Sequence, residues 1–347
     1  MRGKLLRLQA MSEAPSIKVT QLTKVFGKRT VVDHLDLEVQ PGELYALLGD
    51  NGAGKTTTIN MLTTLLKPTS GRFSISGFDG IAEPEKAKSK FAVVSQEVAL
   101  YQELTAFENL MFVSRLYGLP KEGAVQRVEQ HLSQWDLLSR RDDYVGDFSG
   151  GMQRKLSIAG ALLRSPRVLF LDEPTVGLDP GSRQHIWEIL TGLKHEGVTI
   201  FLTTHYLEEA ELLADRVGII VRGKLIAEGT IDDLRGRLNH MKSICVRMAR
   251  RPNPEELESS LSRLRNFAFG EVSYDELRNT FSIALTSEGH LSETLRAVTD
   301  WIETEHIPIT GVSTSEPSLE EIYLALSHET VPLPKMDQSP VPAAKEI

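Results

Sequence analysis

Cysteine is nearly missing: Cys245 is the only one in 347 residues, so no internal disulfide can form and the chain fits a reducing compartment. Positive charge is also short. Lys and Arg number 39 against 47 Asp and Glu, a formal net charge of −8, which argues against the clustered basic surface that nucleic-acid binding requires. No run comes near the roughly 18 apolar residues of a bilayer-spanning helix. If the protein serves a membrane process, another chain must do the crossing. The first residues, Met1-Arg2-Gly3-Lys4-Leu5-Leu6-Arg7-Leu8, are basic but lack an apolar region of signal-peptide length. We expect a flexible segment over 1–15, dispensable if translation starts at Met11, and a cytosolic chain.

What is present is an ordinary globular composition, 41% hydrophobic and 25% charged, long enough for one large domain or two unequal ones. Over 16–238 short apolar runs alternate with helical patterns. Leu44-Tyr45-Ala46-Leu47-Leu48, Val168-Leu169-Phe170-Leu171, Val198-Thr199-Ile200-Phe201-Leu202 and Val217-Gly218-Ile219-Ile220-Val221 are continuous rather than alternating. Strands covered on both faces of a largely parallel sheet read this way. A helix-rich stretch, about 100–160, interrupts them, with one helix opening at Phe107 and another over 123–135.

After residue 238 the pattern changes to strand 243–248, helix 255–264, strands 267–273 and 280–285, helix 291–305, strand 309–314 and helix 319–326. That βαββαβ order with one added helix predicts a small α+β domain of ferredoxin-like type over 239–328. It carries no motif of its own, and His290 and His306 lack metal-ligand spacing; an accessory role, stabilising or regulating the larger domain, is the expectation. Pro332, Pro334, Pro340 and Pro342 punctuate a tail, 329–347, without apolar periodicity. It is expected to be disordered.

Chemistry enters at Gly49-Asp50-Asn51-Gly52-Ala53-Gly54-Lys55-Thr56, which satisfies G-x-x-x-x-G-K-[ST] directly after an apolar run and before a helical pattern over 57–66. The glycines let backbone N–H groups turn inward as an anion nest, and the helix N-terminus adds partial positive charge. Lys55 is placed to reach the outer phosphates of a nucleotide, and Thr56 to ligate Mg²⁺. Arg167-Val168-Leu169-Phe170-Leu171-Asp172-Glu173 delivers two carboxylates at the end of a second buried strand, where α/β sheets bind ligands. Asp172 suits the Mg²⁺ shell and Glu173 a general base that polarises an attacking water. Alone, acidic residues ending a strand are ordinary turn formers.

Phe148-Ser149-Gly150-Gly151-Met152-Gln153 precedes a helical pattern over 154–163 and makes a second anion site. A Ser N-cap after a flexible turn would look the same. One nucleotide hardly needs two such loops, so the second is expected to serve the nucleotide of a neighbouring subunit.

The ordered set Gly49 to Thr56, Gln96, Ser149-Gly150-Gly151, Asp172-Glu173, Gly177-Leu178-Asp179 and His205 resembles the ATP-binding subunits of ABC transporters. The likeness covers about 17–238 and implies a P-loop NTPase domain of ABC type, with a helical subdomain, in which two copies sandwich ATP and Mg²⁺ head to tail. It implies that Gln96 senses Mg²⁺ and the γ-phosphate, that His205 hydrogen-bonds that phosphate, and that Asp179 communicates across the dimer. Asp179 also reads as a helix N-cap before Pro180. Phe26 falls where the family commonly stacks a tyrosine on adenine, a contact that needs only the ring face. Thr57 belongs with the nucleotide contacts. Phe148 and Met152 depart from the usual Leu and Gln of the signature.

Within the family, Gly52-Ala53-Gly54-Lys55-Thr56-Thr57-Thr58, the Phe148 to Met152 variant and a C-terminal Ser318-Leu319-Glu320-Glu321-Ile322-Tyr323 resemble the prokaryotic drug- and antibiotic-exporter ATPases. Those pair with a separate membrane permease and sit peripherally on the cytoplasmic face of the cell membrane. The alternative from another class, an ABC-type ATPase acting on ribosomes or DNA, would carry two cassettes or a long inserted coiled coil. This sequence has one cassette and no sustained heptads between Lys55 and Ser149.

Overall fold

The computed structural model describes residues 14–236, 242–267, 272–285, 291–304 and 306–330. The chain forms two compact units that part between Leu234 and Arg235.

The first unit opens with antiparallel strands β1 (Ile17–Phe26) and β2 (Arg29–Val39), followed by β3 (Leu44–Leu48), helix α1 (Lys55–Leu62), β4 (Ser70–Ile75), β5 (Phe78–Asp79), α2 (Pro84–Lys88) and β6 (Phe91–Val94). Helices α3 (Ala106–Leu116), α4 (Ala124–Gln134) and α5 (Gly150–Leu162) come next, and then β7 (Val168–Asp172), α6 (Pro180–His195), β8 (Thr199–Thr204), α7 (Leu207–Leu213), β9 (Arg216–Val221) and β10 (Lys224–Gly229). Helix α8 (Ile231–Gly236) carries the chain onward.

Two sheets result. One is four-stranded and antiparallel, ordered β2-β1-β4-β5; the other is six-stranded, ordered β10-β9-β3-β8-β7-β6. The four continuous apolar runs all lie in this second sheet, and every residue of β3, β7 and β8 is buried. β3 runs parallel to β8 and β9, and β7 parallel to β8 and β6; only β10 returns antiparallel, through a hairpin. That hairpin turns on Arg222 (φ 49°) and Gly223 (φ 83°), the paired left-handed conformations a two-residue turn of this kind demands.

Register matters most for function. Leu48 stands opposite Thr204, and Asp172 opposite Thr203. The loops that follow β3, β7 and β8 therefore leave the sheet at one level, at the carboxyl ends of parallel strands. The helical stretch packs α3, α4 and α5 through Leu110, Val128, Leu132 and Leu156 into the same core as Leu169 and Leu202.

The second unit contains β11 (Lys242–Met248), α9 (Pro254–Phe267), β12 (Val272–Asp275), β13 (Thr280–Leu285), α10 (Leu291–Thr304), β14 (Ile309–Ser315) and α11 (Leu319–Thr330). Its sheet is antiparallel, ordered β12-β13-β11-β14, the split βαββαβ arrangement. Phe281, Ile283, Val298 and Trp301 centre its core.

Two expectations shift. The helix after the phosphate loop runs Lys55–Leu62 rather than over 57–66: Thr64 takes a positive φ of 61° and ends the helical path, leaving Leu65 73% exposed. Phe267, expected to open a strand, closes α9. The expected tail beyond 330 and the segment before residue 14 lie outside the described residues.

Candidate nucleotide site

The loop from Gly49 to Gly54 folds as its glycines require. Gly54 sits at φ 111°, and a Cβ there would come within 2.7 Å of the Val31 carbonyl; one on Gly49 would come within 2.4 Å of the Ile220 carbonyl. Ala53 N–H donates to the Asp50 carbonyl, and the hairpin tip closes against the loop where Gly223 N–H donates to the Ala53 carbonyl at 2.8 Å. Gly54 caps α1 without any side-chain hydrogen bond. The first-turn N–H groups are thus left for an anion, which the helix dipole favours.

Lys55 is 4% exposed. Its Nζ donates to the Gly49 and Asp50 carbonyls at 2.6 and 3.2 Å and lies 3.1 Å from Glu173 Oε1. Asp172 Oδ1 accepts from Thr56 Oγ1 at 3.3 Å and from Thr203 Oγ1. Glu173 adopts φ 46°, a conformation that costs a non-glycine residue about 1–2 kcal/mol. Its N–H donates to the Thr203 carbonyl at 3.0 Å, which holds it there. His205, one residue past β8, brings Nδ1 to 3.1 Å from Glu173 Oε2, although the pair lacks hydrogen-bond alignment.

Phe26, Asn51, Gly52, Gly54, Lys55, Thr56, Thr57, Gln96, Glu173 and His205 line one cavity of about 670 Å³, joined by Arg29, Val31 and Val176. Phe26 is 48% exposed, with Lys24 Nζ over its ring at 5.0 Å from the centroid. Gly49, Asp50 and Ala53 serve the loop's internal hydrogen bonds instead, and Asp172 meets the site through Thr56.

Ser149, Gly150, Gly151 and Asp179 do not line that cavity. Ser149 is the N-cap of α5, its Oγ accepting from Met152 N–H at 3.3 Å, so both signature glycines belong to the helix's first turn rather than to a preceding loop. Asp179 is the N-cap of α6, accepting from Ser182 N–H at 3.0 Å and Ser182 Oγ at 2.6 Å, bonds that hold its carboxyl below the usual aspartate range. A Cβ on Gly151 would fall 2.3 Å from Ser182 Oγ. The two caps therefore abut and form a second polar surface, apart from the cavity. Phe148 is buried and Met152 packs on the same core, so both departures from the usual signature serve packing.

Three polar residues escaped the sequence reading. Thr203 Oγ1 bonds both Asp172 Oδ1 and Glu173 N–H; two threonines closing an apolar strand were its visible trace. Arg154 is 2% exposed and donates to the Ser95 and Gln96 carbonyls. Glu209, wholly buried, accepts from Thr175 Oγ1 at 2.9 Å and Trp187 Nε1 at 3.1 Å. Nothing local distinguishes the last two from surface charges on a helix.

A glycine nest between a buried strand and a helix, with two carboxylates at the end of another strand of the same sheet, one strand removed, defines a P-loop nucleotide hydrolase. The sequence pattern of the ABC transporter family matches residues 32–176. The chain is 38% identical to the linearmycin resistance ATP-binding protein LnrL of Bacillus subtilis, over 91% of this chain and 99% of that one. It is 36% identical to the daunorubicin/doxorubicin resistance ATP-binding protein DrrA of Streptomyces peucetius, over 95% and 97%. A solved ATP-binding subunit of an ABC transporter superposes with a TM-score of 0.58 at 34% identity, over 64% of this chain and 92% of that one. A dimeric ATP-binding cassette in a post-hydrolysis state with ADP and Pi superposes with a TM-score of 0.57 at 26% identity, over 62% and 98%. The chain belongs to the ABC transporter family, as an ATP-binding, ATP-hydrolysing subunit. Among the described residues no helix is long and apolar enough to cross a membrane.

Proposed function

We propose that this subunit, as a head-to-tail homodimer closed around Mg-ATP, drives export of a small molecule of drug, antibiotic or lipid-like type through a separate membrane permease, at the cytoplasmic face. The convergence of Lys55, Glu173 and His205 on one cavity carries the reading. The relatives aligned over nearly the whole chain, linearmycin and daunorubicin/doxorubicin resistance ATP-binding proteins, support the cargo class.

In this reading Phe26 stacks on the base, while the backbone of Asn51 to Gly54 and the start of α1 hold the phosphates. Lys55 neutralises the outer phosphates. Mg²⁺ would be held by Thr56, Asp172 and Gln96, an all-oxygen set that suits a hard cation, and Thr56 Oγ1 already lies against Asp172 Oδ1. Bound there, the ion supplies charge neutralisation on the phosphates. Glu173 accepts a proton from the attacking water, and His205 orients and hydrogen-bonds the terminal phosphate.

Ser149 to Gly151 and Asp179 lie outside their own chain's cavity because their nucleotide is the partner's. A permease would dock on the exposed patch where Tyr101 (50% exposed) meets Phe112 edge-on, with Leu116 (71% exposed) beside them on the helix. The second unit acts as an accessory domain that stabilises or regulates the dimer.

The test is Glu173→Gln in the purified full-length chain. It should stay monomeric without nucleotide, become a dimer at saturating Mg-ATP and turn over at least roughly 100-fold more slowly. A monomer that hydrolyses ATP normally would sink the assignment. Isolation of the chain from membranes with a polypeptide of several hydrophobic spans tests the transport half.

A further inference from the structure

Arg154 lies one turn inside α5, five residues beyond the Ser149 cap, and is 2% exposed. A buried guanidinium needs partners for its donors. Two are taken: one terminal nitrogen donates to the Ser95 carbonyl at 2.6 Å and the other to the Gln96 carbonyl at 2.7 Å, while Nε has no hydrogen-bond partner. These are consecutive carbonyls directly after β6, and Gln96 lines the nucleotide cavity. Burial pulls the guanidinium's pKa down, and the charges of Asp172 and Glu209 oppose that; it stays protonated.

We infer that Arg154 is a positioning residue that fixes the backbone of Gln96 and yokes it to the helix beginning at Ser149. The inference rests on the nucleotide-site reading above. A rigid planar fork sets the two peptide planes around Gln96, and hence the direction in which its carboxamide enters the cavity. Through the same fork, displacement of the Ser149 end of α5 displaces Gln96. What the capped helix meets on a partner subunit is thereby felt at the candidate Mg²⁺ ligand of its own chain. Lysine, a single point donor on a flexible stem, cannot hold two consecutive carbonyls in one plane.

A double-mutant cycle on kcat of the full-length chain tests this, using Arg154→Gln, Gln96→Ala and the double variant. Because Arg154 acts through Gln96, each single variant should lower kcat about tenfold with KM for Mg-ATP within about threefold, and the double variant should be no slower than the slower single. Arg154→Lys should fall between wild type and Arg154→Gln, and it replaces Arg154→Gln in the cycle if that variant does not fold. Losses that multiply to about 100-fold in the double variant would mean that Arg154 acts independently of Gln96, and would overturn the inference. So would wild-type kcat in Gln96→Ala or Arg154→Gln. Lys55→Ala and Glu173→Gln run alongside: if they abolish turnover while the cycle is additive, only the yoke falls; if they turn over normally, the nucleotide-site reading falls with it.

Discussion

Lys55 Nζ lies 3.1 Å from Glu173 Oε1, and both side chains are more than nine-tenths buried. The cavity thus holds the cation proposed to bind phosphate against the carboxylate proposed as general base. An incoming phosphate must compete with Glu173 for that ammonium. Glu173→Gln removes the competing charge, so Mg-ATP should bind roughly three- to tenfold more tightly while turnover collapses, about 1.4 kcal/mol of binding at the upper end. Equilibrium titration of the variant against wild type reads this directly. Weaker binding in the variant would contradict the competition.

Lys55→Met leaves Glu173 buried beside His205 alone. Removing one partner of a buried pair costs about 3–5 kcal/mol when the other charge is left uncompensated. The neighbouring imidazole should hold the loss to the lower end. Chemical denaturation should show it, together with loss of Mg-ATP binding. Undiminished stability would mean that the pair is not formed in solution.

Thr203→Val should separate the carboxylates from their support. Thr203 Oγ1 bonds Asp172 Oδ1 and also receives the Glu173 N–H, so an isosteric apolar side chain leaves buried polar atoms short of partners, at about 1–3 kcal/mol. Turnover should fall with stability, and Thr203→Ser should restore both. If serine does not rescue, the hydroxyl is not what matters.

Asp179→Ala removes the α6 cap and leaves the cavity lining unchanged. Thermal stability should drop by a few degrees and nucleotide affinity of the isolated chain should hold. Turnover, which on the dimer reading needs the partner's surface, should fall roughly tenfold or more. A variant that loses nucleotide affinity in step with turnover would place Asp179 in its own chain's site instead.

Glu209 sets a pH dependence. Burial pushes its carboxyl above the ordinary 4.5, against the hydrogen bonds from Thr175 and Trp187 that pull it back. Between 4.5 and the raised value, the folded chain keeps a proton that the unfolded chain has released, so this group's contribution to stability is full below that window and is lost as pH rises through it. Glu209→Gln should therefore gain in melting temperature relative to wild type as pH rises from acid toward neutral. Parallel melting curves across that range would show that Glu209 titrates normally.

Much of the site was legible because its chemistry is local. The glycine spacing before Lys55 determines the loop's backbone, and a continuous apolar run determines a strand buried on both faces, so β3 and β7 appear where expected. Element ends were less legible. The left-handed turn at Thr64 cuts α1 short, and nothing in a run of threonines and leucines announces it.

By itself the sequence determined the phosphate loop, the strand delivering Asp172 and Glu173, the cap at Asp179, and the change of pattern into a βαββαβ unit. These follow from periodicity, glycine spacing and capping chemistry, all of which act within a few residues. Only the tertiary structure decided which of them share a cavity. The register of β3, β8 and β7 brings Lys55, His205 and Glu173 together and sets Ser149 and Asp179 apart on a different surface. Strand register comes from pairing between residues far apart in sequence, as Leu48 with Thr204 and Asp172 with Thr203. So do the burial of Arg154 against Gln96 and the hydroxyl of Thr203 between two carboxylate-bearing residues. No local pattern encodes such contacts, because the energy that selects them belongs to the packed core as a whole.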